Sequence, residues 1–449
     1  MHRLSLTFLC LARLVCAQET PGPLPERGAP LRLTLKQAVD TALAPEGNTR
    51  VQLAGEANKQ AQARSAQSRA ALLPGFDSYV AEQNQTRNLA ALGVQIHLPI
   101  PGFSFPTVVG PFNTFDARVQ ATQSVFDFSS IRRYQASRAG VRASESDTAN
   151  ARDQISAQVA SFYLVALAAQ AHVEAAVASV ELAQATAKLA DNRKNAGTGT
   201  GIEVTRALVE VANAQQRLLV AENDRRQARL QLLRAMGMRL ETEIELVDKL
   251  AYAPAGDVPL KETLASALDA RPDWKAQKTR EDGARLNYSG TKLERLPSVS
   301  AFADYGSIGT GINSASPTRT YGISMRLPIF DGGRRDARRA ESLSQLRQEQ
   351  IRTGDLRQQV ELDIRLALDS LRSAGDQLKV ADEGLQQAQR EVEQAQRRYD
   401  SGVANSLEPI DAQTRLARAR DNRIAALLGY NIARINLGQA TGTIRQVIQ

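Results

Sequence analysis

Residues 33 to about 240 of this 449-residue chain are written a second time at about 258 to 442, and that duplication restricts the fold more than any other feature. The halves align at an offset of roughly 205 positions. Leu35-Lys36-Gln37 with Ala42-Leu43 is answered by Leu260-Lys261-Glu262 with Ala267-Leu268, and Leu73-Pro74 by Leu296-Pro297. Val125-Phe126-Asp127 is answered by Ile329-Phe330-Asp331, while Gly197, Glu203 and Gly237 return as Gly402, Glu408 and Gly442. Allowing for ends, the repeats occupy 18–240 and 258–442. Residues 241–257, closing on Tyr252-Ala253-Pro254-Ala255-Gly256, form a connector, and 443–449 a C-terminal tail.

Within each repeat the hydrophobic period changes. Ile155, Val159, Phe162, Ala166, Ala169, Val173, Ala176, Val180, Ala183, Ala187 and Ala190 alternate steps of four and three, the seam of a coiled-coil helix. The second repeat carries the same row from Val360 and Ile364 through Leu371, Leu378, Leu385 and Val392 to Tyr399. Helices over about 129–195 and 334–400 follow, each on the order of 100 Å long at about 1.5 Å per residue. A shorter helix follows each tip, with seams at Ala207, Val211, Ala214 and Leu218 and at Ala412, Leu416 and Ala419; Arg225 and Arg423 are exceptions. Aromatic residues make up only 5% of the chain, so alanine-rich helix packing rather than one compact core must bury its surface.

Between the helices the period falls to two. Phe115, Ala117, Val119, Ala121 and Val125 alternate with polar residues apart from a lapse at Gln123, as do Tyr321, Ile323, Met325 and Leu327. Strands are expected at about 75–87, 115–126, 298–309 and 319–330, the third with Phe302 breaking its polar face. Strands of about ten residues with one greasy face suit an outer-membrane barrel, yet four make neither a barrel nor a sheet with protected edges. The chain must therefore oligomerise; a dimer pools eight strands and a trimer twelve, and the pattern permits both. The connection at 88–114 is long and rich in Pro and Gly, suiting the cell-surface side, while Thr310–Pro317 is short. Asp127 or Ser129, and Asp331, are available as helix N-caps.

Met1 to Ala17 reads as a secretory signal cut after Ala17, so the chain is exported. Both cysteines, Cys10 and Cys16, fall inside it, leaving a mature chain without disulfides. Cys16 has a rival reading as a lipidated N-terminus, although Arg13 stands where a lipoprotein signal usually has Leu. Beyond the signal no run of about 18 consecutive apolar residues appears, so no membrane-crossing helix is expected. The net charge of +8 is spread among interleaved acids and bases, and an exported chain has little access to nucleic acid.

The duplicated unit of helix, hairpin, long helix, tip and shorter helix resembles the TolC-like family of outer-membrane efflux proteins. The resemblance is most specific at Arg398-Tyr399-Asp400-Ser401-Gly402 followed by Leu407-Glu408-Pro409-Ile410-Asp411-Ala412-Gln413, similar to the family's tip pattern R-Y-x-x-G then D-V-L-x-A-Q. The first copy, Asn195 to Ala207, is more diverged. The resemblance implies a mainly α protein with a transmembrane β-barrel portion. Three copies would form a twelve-stranded barrel continued by a twelve-helix periplasmic barrel, with an equatorial belt from the connector and chain ends. It implies an outer-membrane channel component of a tripartite efflux pump or type I secretion system, a passive duct gated at its periplasmic tip. Its partners would be outer-membrane lipid, a periplasmic adaptor protein and an inner-membrane pump.

Carried over residue by residue, Glu408 and Asp411 fall where the family has an acidic ring at the constriction, although the family often has Asp where Glu408 stands and Pro409 follows it. Glu203, Tyr399 and Arg206 occupy positions resembling a latch between the tips. Gly197, Thr198, Gly402, Val403, Ser406 and Leu407 lie on the tip that would dock the adaptor. Solvated helix-end residues are the plainer reading of all of these. Arg334, Arg335, Arg338 and Arg339, echoed by Arg132, Arg133 and Arg138, begin the long helices just below the expected membrane, to meet headgroups, the duct interior or solvent.

No enzyme is expected. Gly197 to Gly201 follows a helix and lacks the Lys-Ser/Thr of a phosphate loop, and no G-x-S-x-G elbow occurs. His2, His97 and His172 have no metal-ligand spacing, and no cofactor is implied. The rival from another class is a periplasmic coiled-coil adaptor or scaffold that never enters lipid.

Overall fold

The computed structural model describes residues 30–91, 93, 106–254 and 259–448. The signal, Cys16, His97, most of the first hairpin loop and the end of the connector lie outside the described residues. The elements are β1 (Leu31–Leu33), α1 (Leu35–Leu43), α2 (Thr49–Ala70), β2 (Gly75–Asn88), β3 (Val108–Phe126), α3 (Phe128–Asn195) and α4 (Gly201–Met236). After β4 (Ile244–Leu246) come α5 (Leu260–Ala270), α6 (Pro272–Leu293), β5 (Ser298–Gly309), β6 (Ser316–Arg326), α7 (Arg334–Asp400), α8 (Leu407–Thr441) and α9 (Ile444–Ile448).

The long helices pack through their seams. On α3, Ile155, Val159, Ala166, Ala169, Val173, Val180, Ala183, Ala187 and Ala190 are buried, and α4 meets them with Ala207, Ala214, Ala228 and Leu232. On α7, Val360, Ile364, Ala367, Leu378, Ala388, Val392, Ala395 and Tyr399 are buried beside α8. Contacts run in rows, α7 to α8 to α3 to α4 toward the tips and α2 to α3 to α6 to α7 toward the sheet. Alanine on a seam buries little area itself but lets helix axes approach closely. Asp127 caps α3, accepting from the Ser129 and Ser130 backbone N–H groups at 2.9 and 3.3 Å. Burial works against its charge, and the serine hydrogen bonds outweigh that, holding its carboxyl below the usual range.

The four strands pair antiparallel in the order β2-β3-β5-β6. Register places Phe76 and Val80 beside Ala121 and Ala117, Val119 beside Tyr305, and Ala301 and Ala303 beside Ile323 and Tyr321, all on one face. That face is exposed, with Phe76 at 71%, Tyr321 at 79% and Ile323 at 76%. The opposite face is polar and carries Arg118, which donates to Asp116 at 2.7 Å and reaches Asp304 at 3.4 Å. Gly306, opposite Arg118, is a required close approach: a Cβ there would lie 2.2 Å from the Ala117 carbonyl oxygen and 2.4 Å from Arg118 Cβ. Phe302, the lapse in polarity, lies over Gly322 on the next strand, covering a backbone that has no side chain of its own.

Strand ends depart from the alternation for local reasons. β3 begins at Val108, ahead of Phe115, because a register shift between Gln85 and Arg87 absorbs Gly110 and Pro111 without needing the proline's missing N–H. β6 spans Ser316–Arg326 rather than 319–330, since Pro328 cannot donate to the ladder. Leu327, Ile329 and Phe330 still continue the exposed greasy face, as do Phe126 and Phe128, packed edge to face at 4.4 Å.

At mid-height a belt clasps the helices. β1 pairs parallel with β4 of the connector. The buried Tyr163 hydroxyl donates into this belt, to Asp248 at 2.8 Å, and lies 2.9 Å from the Leu33 carbonyl oxygen. Asp248 also accepts from the Leu35 N–H at 2.8 Å. Burial and the Asp248 carboxylate push the Tyr163 hydroxyl well above its ordinary range. The expected tail at 443–449 carries a short packed helix: Ile444 and Ile448 of α9 are buried in the core of α3 and α8. An 18-residue window of α3 is apolar enough by composition to cross a bilayer, which counting consecutive apolar residues passed over. The apolar side chains of α3 from Ile155 to Ala169 pack instead against α4 and the belt.

In the second repeat Arg271 has the tying role. It donates to Asp273 at 3.1 and 2.7 Å, to Asp363 at 3.1 Å and to the Ala440 carbonyl at 3.1 Å. Burial alone would raise the Asp273 pKa, but the Arg271 hydrogen bonds and charge hold it below the usual range. A depressed carboxylate contributes stability above its unfolded pKa of about 4 and loses it as pH falls through the folded value. Asp273→Asn is therefore expected to lower the midpoint of thermal unfolding at pH 7, at a cost on the order of 1–3 kcal/mol, and to flatten its fall below about pH 4. An unchanged acid limb would show that the pair contributes nothing.

Candidate functional site: the paired helix tips

The two tips are built alike. Each long helix ends in a left-handed glycine, Gly197 at φ +75° and Gly402 at φ +76°, where any Cβ would be strained. In the first tip Gly199 lets the loop close on its own helix, since a Cβ would lie 3.0 Å from Arg193 Cβ. Gly197 and Gly199 of the G-T-G-T-G run thus have structural work unrelated to phosphate. In the second tip the Leu407 N–H donates to the Asn405 side chain at 3.0 Å, and Ser406 and Pro409 are buried.

The expected acidic pair is paired with arginine. Arg398 donates to both oxygens of Glu408 at 3.0 and 3.2 Å, and Arg415 lies 3.4 Å from Asp411 and also bridges to Glu391. Both carboxylates remain open to solvent, Asp411 at 74% and Glu408 at 44%. Each pair lies at a water-exposed helix end, so each contributes about 0–1 kcal/mol.

The expected latch residues are not brought together. Glu203 accepts from the Thr200 N–H at 3.3 Å, which ties it to the start of its own helix. Arg206 is exposed and has no ion pair among the described residues. Tyr399 is buried, and its partner is Arg193, whose guanidinium sits 4.5 Å from the ring centroid and donates to the Tyr399 carbonyl at 2.7 Å. Gly402 leaves room for it, with its Cβ position 3.4 Å from Arg193 Nη2. Sequence reasoning missed Arg193, although the 205-residue offset aligns it with Arg398. In the second tip that arginine pairs with Glu408; in the first it abandons Glu203 and crosses to the other tip. Farther up, Gln413 donates to Thr186 at 2.6 Å, a buried link between α8 and α3.

The docking candidates divide by exposure. Val403 and Leu407 are exposed at 71% and 49%, whereas Ser406 is buried. Ile202, which aligns with Leu407 at the offset, is exposed at 57% and was also missed. Each tip therefore offers a bulky apolar side chain in the first turn of its outgoing helix.

The Tyr399 hydroxyl is buried with no hydrogen-bond partner among the described residues, so the ring rather than the hydroxyl carries the contact. Tyr399→Phe is expected to stay within about 0.5 kcal/mol of the parent or to stabilise it, because an unpaired buried polar group is removed. Arg193→Ala, losing the ring contact and the carbonyl hydrogen bond, should cost about 1–3 kcal/mol locally and speed proteolysis within 197–201 and 402–406. Equal protease sensitivity of Arg193→Ala and the parent would remove this contact from the tip's support.

Comparison with known proteins gives one consistent likeness. A model of the outer membrane efflux protein family matches residues 43–238 and 263–443. Pyoverdine export outer membrane protein OpmQ of Pseudomonas putida is 25% identical over 340 residues, covering 73% of this chain and 70% of OpmQ. Alkaline protease secretion protein AprF of Pseudomonas aeruginosa is 23% identical over 285 residues, 58% of this chain and 59% of AprF. Among solved structures, the Campylobacter jejuni CmeC outer membrane channel superposes with a TM-score of 0.77 at 19% identity, covering 91% of this chain and 86% of CmeC. VceC of Vibrio cholerae superposes at 0.74 with 18% identity, covering 91% and 96%.

Proposed function

This chain belongs to the outer membrane efflux protein family, channels rather than enzymes that stand in the outer membrane on a long periplasmic tunnel, and from that premise we propose a homotrimer gated at its paired tips. The observation that supports joined copies is that the sheet, and the helical row toward the tips, end on open edges with exposed apolar side chains. β2 and β6 each present an unpaired row beside a greasy face. Toward the tips the helical row ends on α4 and α7. On α4, Leu208, Leu219 and Leu230 recur every eleven residues, about three turns, and are exposed at 56%, 61% and 46%; Ile351, Leu362 and Val380 are exposed on α7. Three copies joined edge to edge give twelve strands and twelve helices. The greasy sheet face then meets lipid, and Arg118 with its two aspartates lines the water-filled interior.

At the periplasmic end, Glu408 and Asp411 of three copies would gather six carboxylates around the narrowest opening, each held by an arginine of its own chain. Such a ring favours cations wherever these solvent-exposed bridges open and free the carboxylates. The Arg193 contact to Tyr399 keeps the second tip against the first. Ile202, Val403 and Leu407 are the apolar points on which a periplasmic adaptor protein would dock, with an inner-membrane pump supplying the driving force. Cargo is set by that pump; the relatives are named for pyoverdine export in one case and alkaline protease secretion in another.

Planar-bilayer recording tests the gate. Glu408→Ala combined with Asp411→Ala is expected to raise conductance roughly twofold or more and to weaken cation preference. Unchanged conductance and selectivity would contradict the ring. A detergent-free folded single chain in the periplasm would contradict the trimer and favour a soluble scaffold.

A further inference from the structure

The arginines at the start of the long helices do not share one role. Arg133 of α3 and Arg338 of α7 both close on Glu294, the latter at 2.6 Å, and that carboxylate is only 8% exposed, so these two clamp the halves of the molecule together. Arg335 pairs with Asp331 at 2.8 Å and Arg132 with Gln135 at 2.8 Å. Arg138 joins none of these. With Arg142 one turn below it and Arg69 of α2 opposite, it rims a depression of about 410 Å³ between α2 and α3, floored by the buried Ser65 and flanked by the half-buried Tyr134. None of the three guanidiniums has an ion pair among the described residues, and the one carboxylate lining the depression is Glu145.

Its position in the fold is specific. Greasy residues run past the strand ends into the first helical turn, through Phe126, Phe128 and Ile131, exposed at 47%, 39% and 38%. Tyr134 is the next turn, and Arg138 and Arg142 the two after that, about 15–20 Å below the start of α3 at about 1.5 Å per residue. Arg69 lies at the end of α2, just before the chain turns up into β2. The depression also opens on the face of α3 that continues the greasy side of the sheet. Arg138 and Arg142 stand seven and eleven residues after the exposed Ile131, about two and three turns, so all three share one face. An order of apolar girdle, aromatic residue and then unpaired guanidiniums matches hydrocarbon, interface and headgroup. The second repeat does not reproduce it: Leu346 stands where an offset of 204 aligns Arg142, and Arg338 where it aligns Tyr134.

We propose that this depression binds the phosphate of an anionic phospholipid in the periplasmic leaflet, with Arg69, Arg138 and Arg142 around the phosphate oxygens and the acyl chains rising along Ile131 and Phe128. Arginine suits the task because its planar fork offers paired donors to phosphate and is weakly hydrated. The inference rests on the proposed barrel standing in the outer membrane.

Native mass spectrometry of the detergent-extracted oligomer tests it, with phosphatidylglycerol, diacylglycerol and inorganic phosphate as separate probes. The parent should retain phosphatidylglycerol, should not retain diacylglycerol, and should lose no lipid to inorganic phosphate at millimolar concentration. Arg69→Gln/Arg138→Gln/Arg142→Gln should lower phosphatidylglycerol occupancy about tenfold or more, and Arg334→Gln, at the start of α7, should leave it unchanged. Unchanged occupancy in the triple variant, or an equal fall in Arg334→Gln, overturns the site. Displacement by inorganic phosphate overturns the lipid as its occupant. Should the triple variant fail to assemble, Arg138→Gln alone is read the same way, with a fall of about threefold expected. Failure of the membrane reading itself would appear separately, as a parent protein that is not extracted from the outer membrane as an oligomer.

Discussion

A sheet with one greasy face and two open edges cannot be finished by the chain that makes it, and the rest of the structure is arranged around that constraint. In hydrocarbon each unpaired backbone group costs several kcal/mol, so the fourteen residues of β2 alone present a penalty no side chain here offsets. The helical layer is left open at corresponding places, α2 and α7 under the sheet and α4 and α7 toward the tips. Because β2 follows α2 and β6 precedes α7, the open strands continue into the open helices beneath them. The duplication makes this economical in information, since four strands and four principal helices arise from one pattern written twice.

Helices of 68 and 67 residues raise a mechanical problem that their seams do not solve alone. Alanine contacts are individually weak and permit sliding, because many small residues offer similar registers. Directional contacts fix the register at three heights. Glu294 is clamped by Arg133 and Arg338 beneath the sheet. Tyr163, Asp248 and Arg271 hold the belt. Gln413 on Thr186 and Arg193 on Tyr399 hold the tips. The polar contacts thus act as stops along a slippery apolar seam, and a fully buried tyrosine takes part both at the belt, Tyr163, and at the tips, Tyr399.

What was legible in the sequence follows from which properties are periodic. The seams were readable because a repeat of four and three has one geometric meaning over eleven or more positions. The greasy face was readable for the same reason with a period of two, and its lapse at Phe302 was not, because the cause, Gly322, lies on another strand. Strand ends slipped where a single proline interacts with register: Pro111 is absorbed by a shift in β2, whereas Pro328 ends β6. Three-residue strands such as β1 and β4 carry no pattern, so the belt was visible only through the family resemblance. The tip residues were located correctly along the chain, but which groups meet was hidden. Glu203 had two available partners, its own helix start and the opposite tip, and spacing favours neither.

The tips also show how a duplicated unit becomes a device with two unlike halves. Arg193 and Glu203 align with Arg398 and Glu408, so each tip inherited the same charge pair. The second tip keeps it, closing its own turn with a bidentate bridge. In the first, Thr200 and its N–H draw Glu203 back to the start of α4, leaving Arg193 free to reach across. What it reaches is Tyr399, which aligns with Lys194; two cations there would repel, whereas an aromatic face and a backbone carbonyl attract. One tip is therefore internally complete and the other is completed only by its neighbour. Between the tips stand one cation–π contact and one hydrogen bond from Arg193, backed farther up by Leu182 packed on the α7–α8 seam.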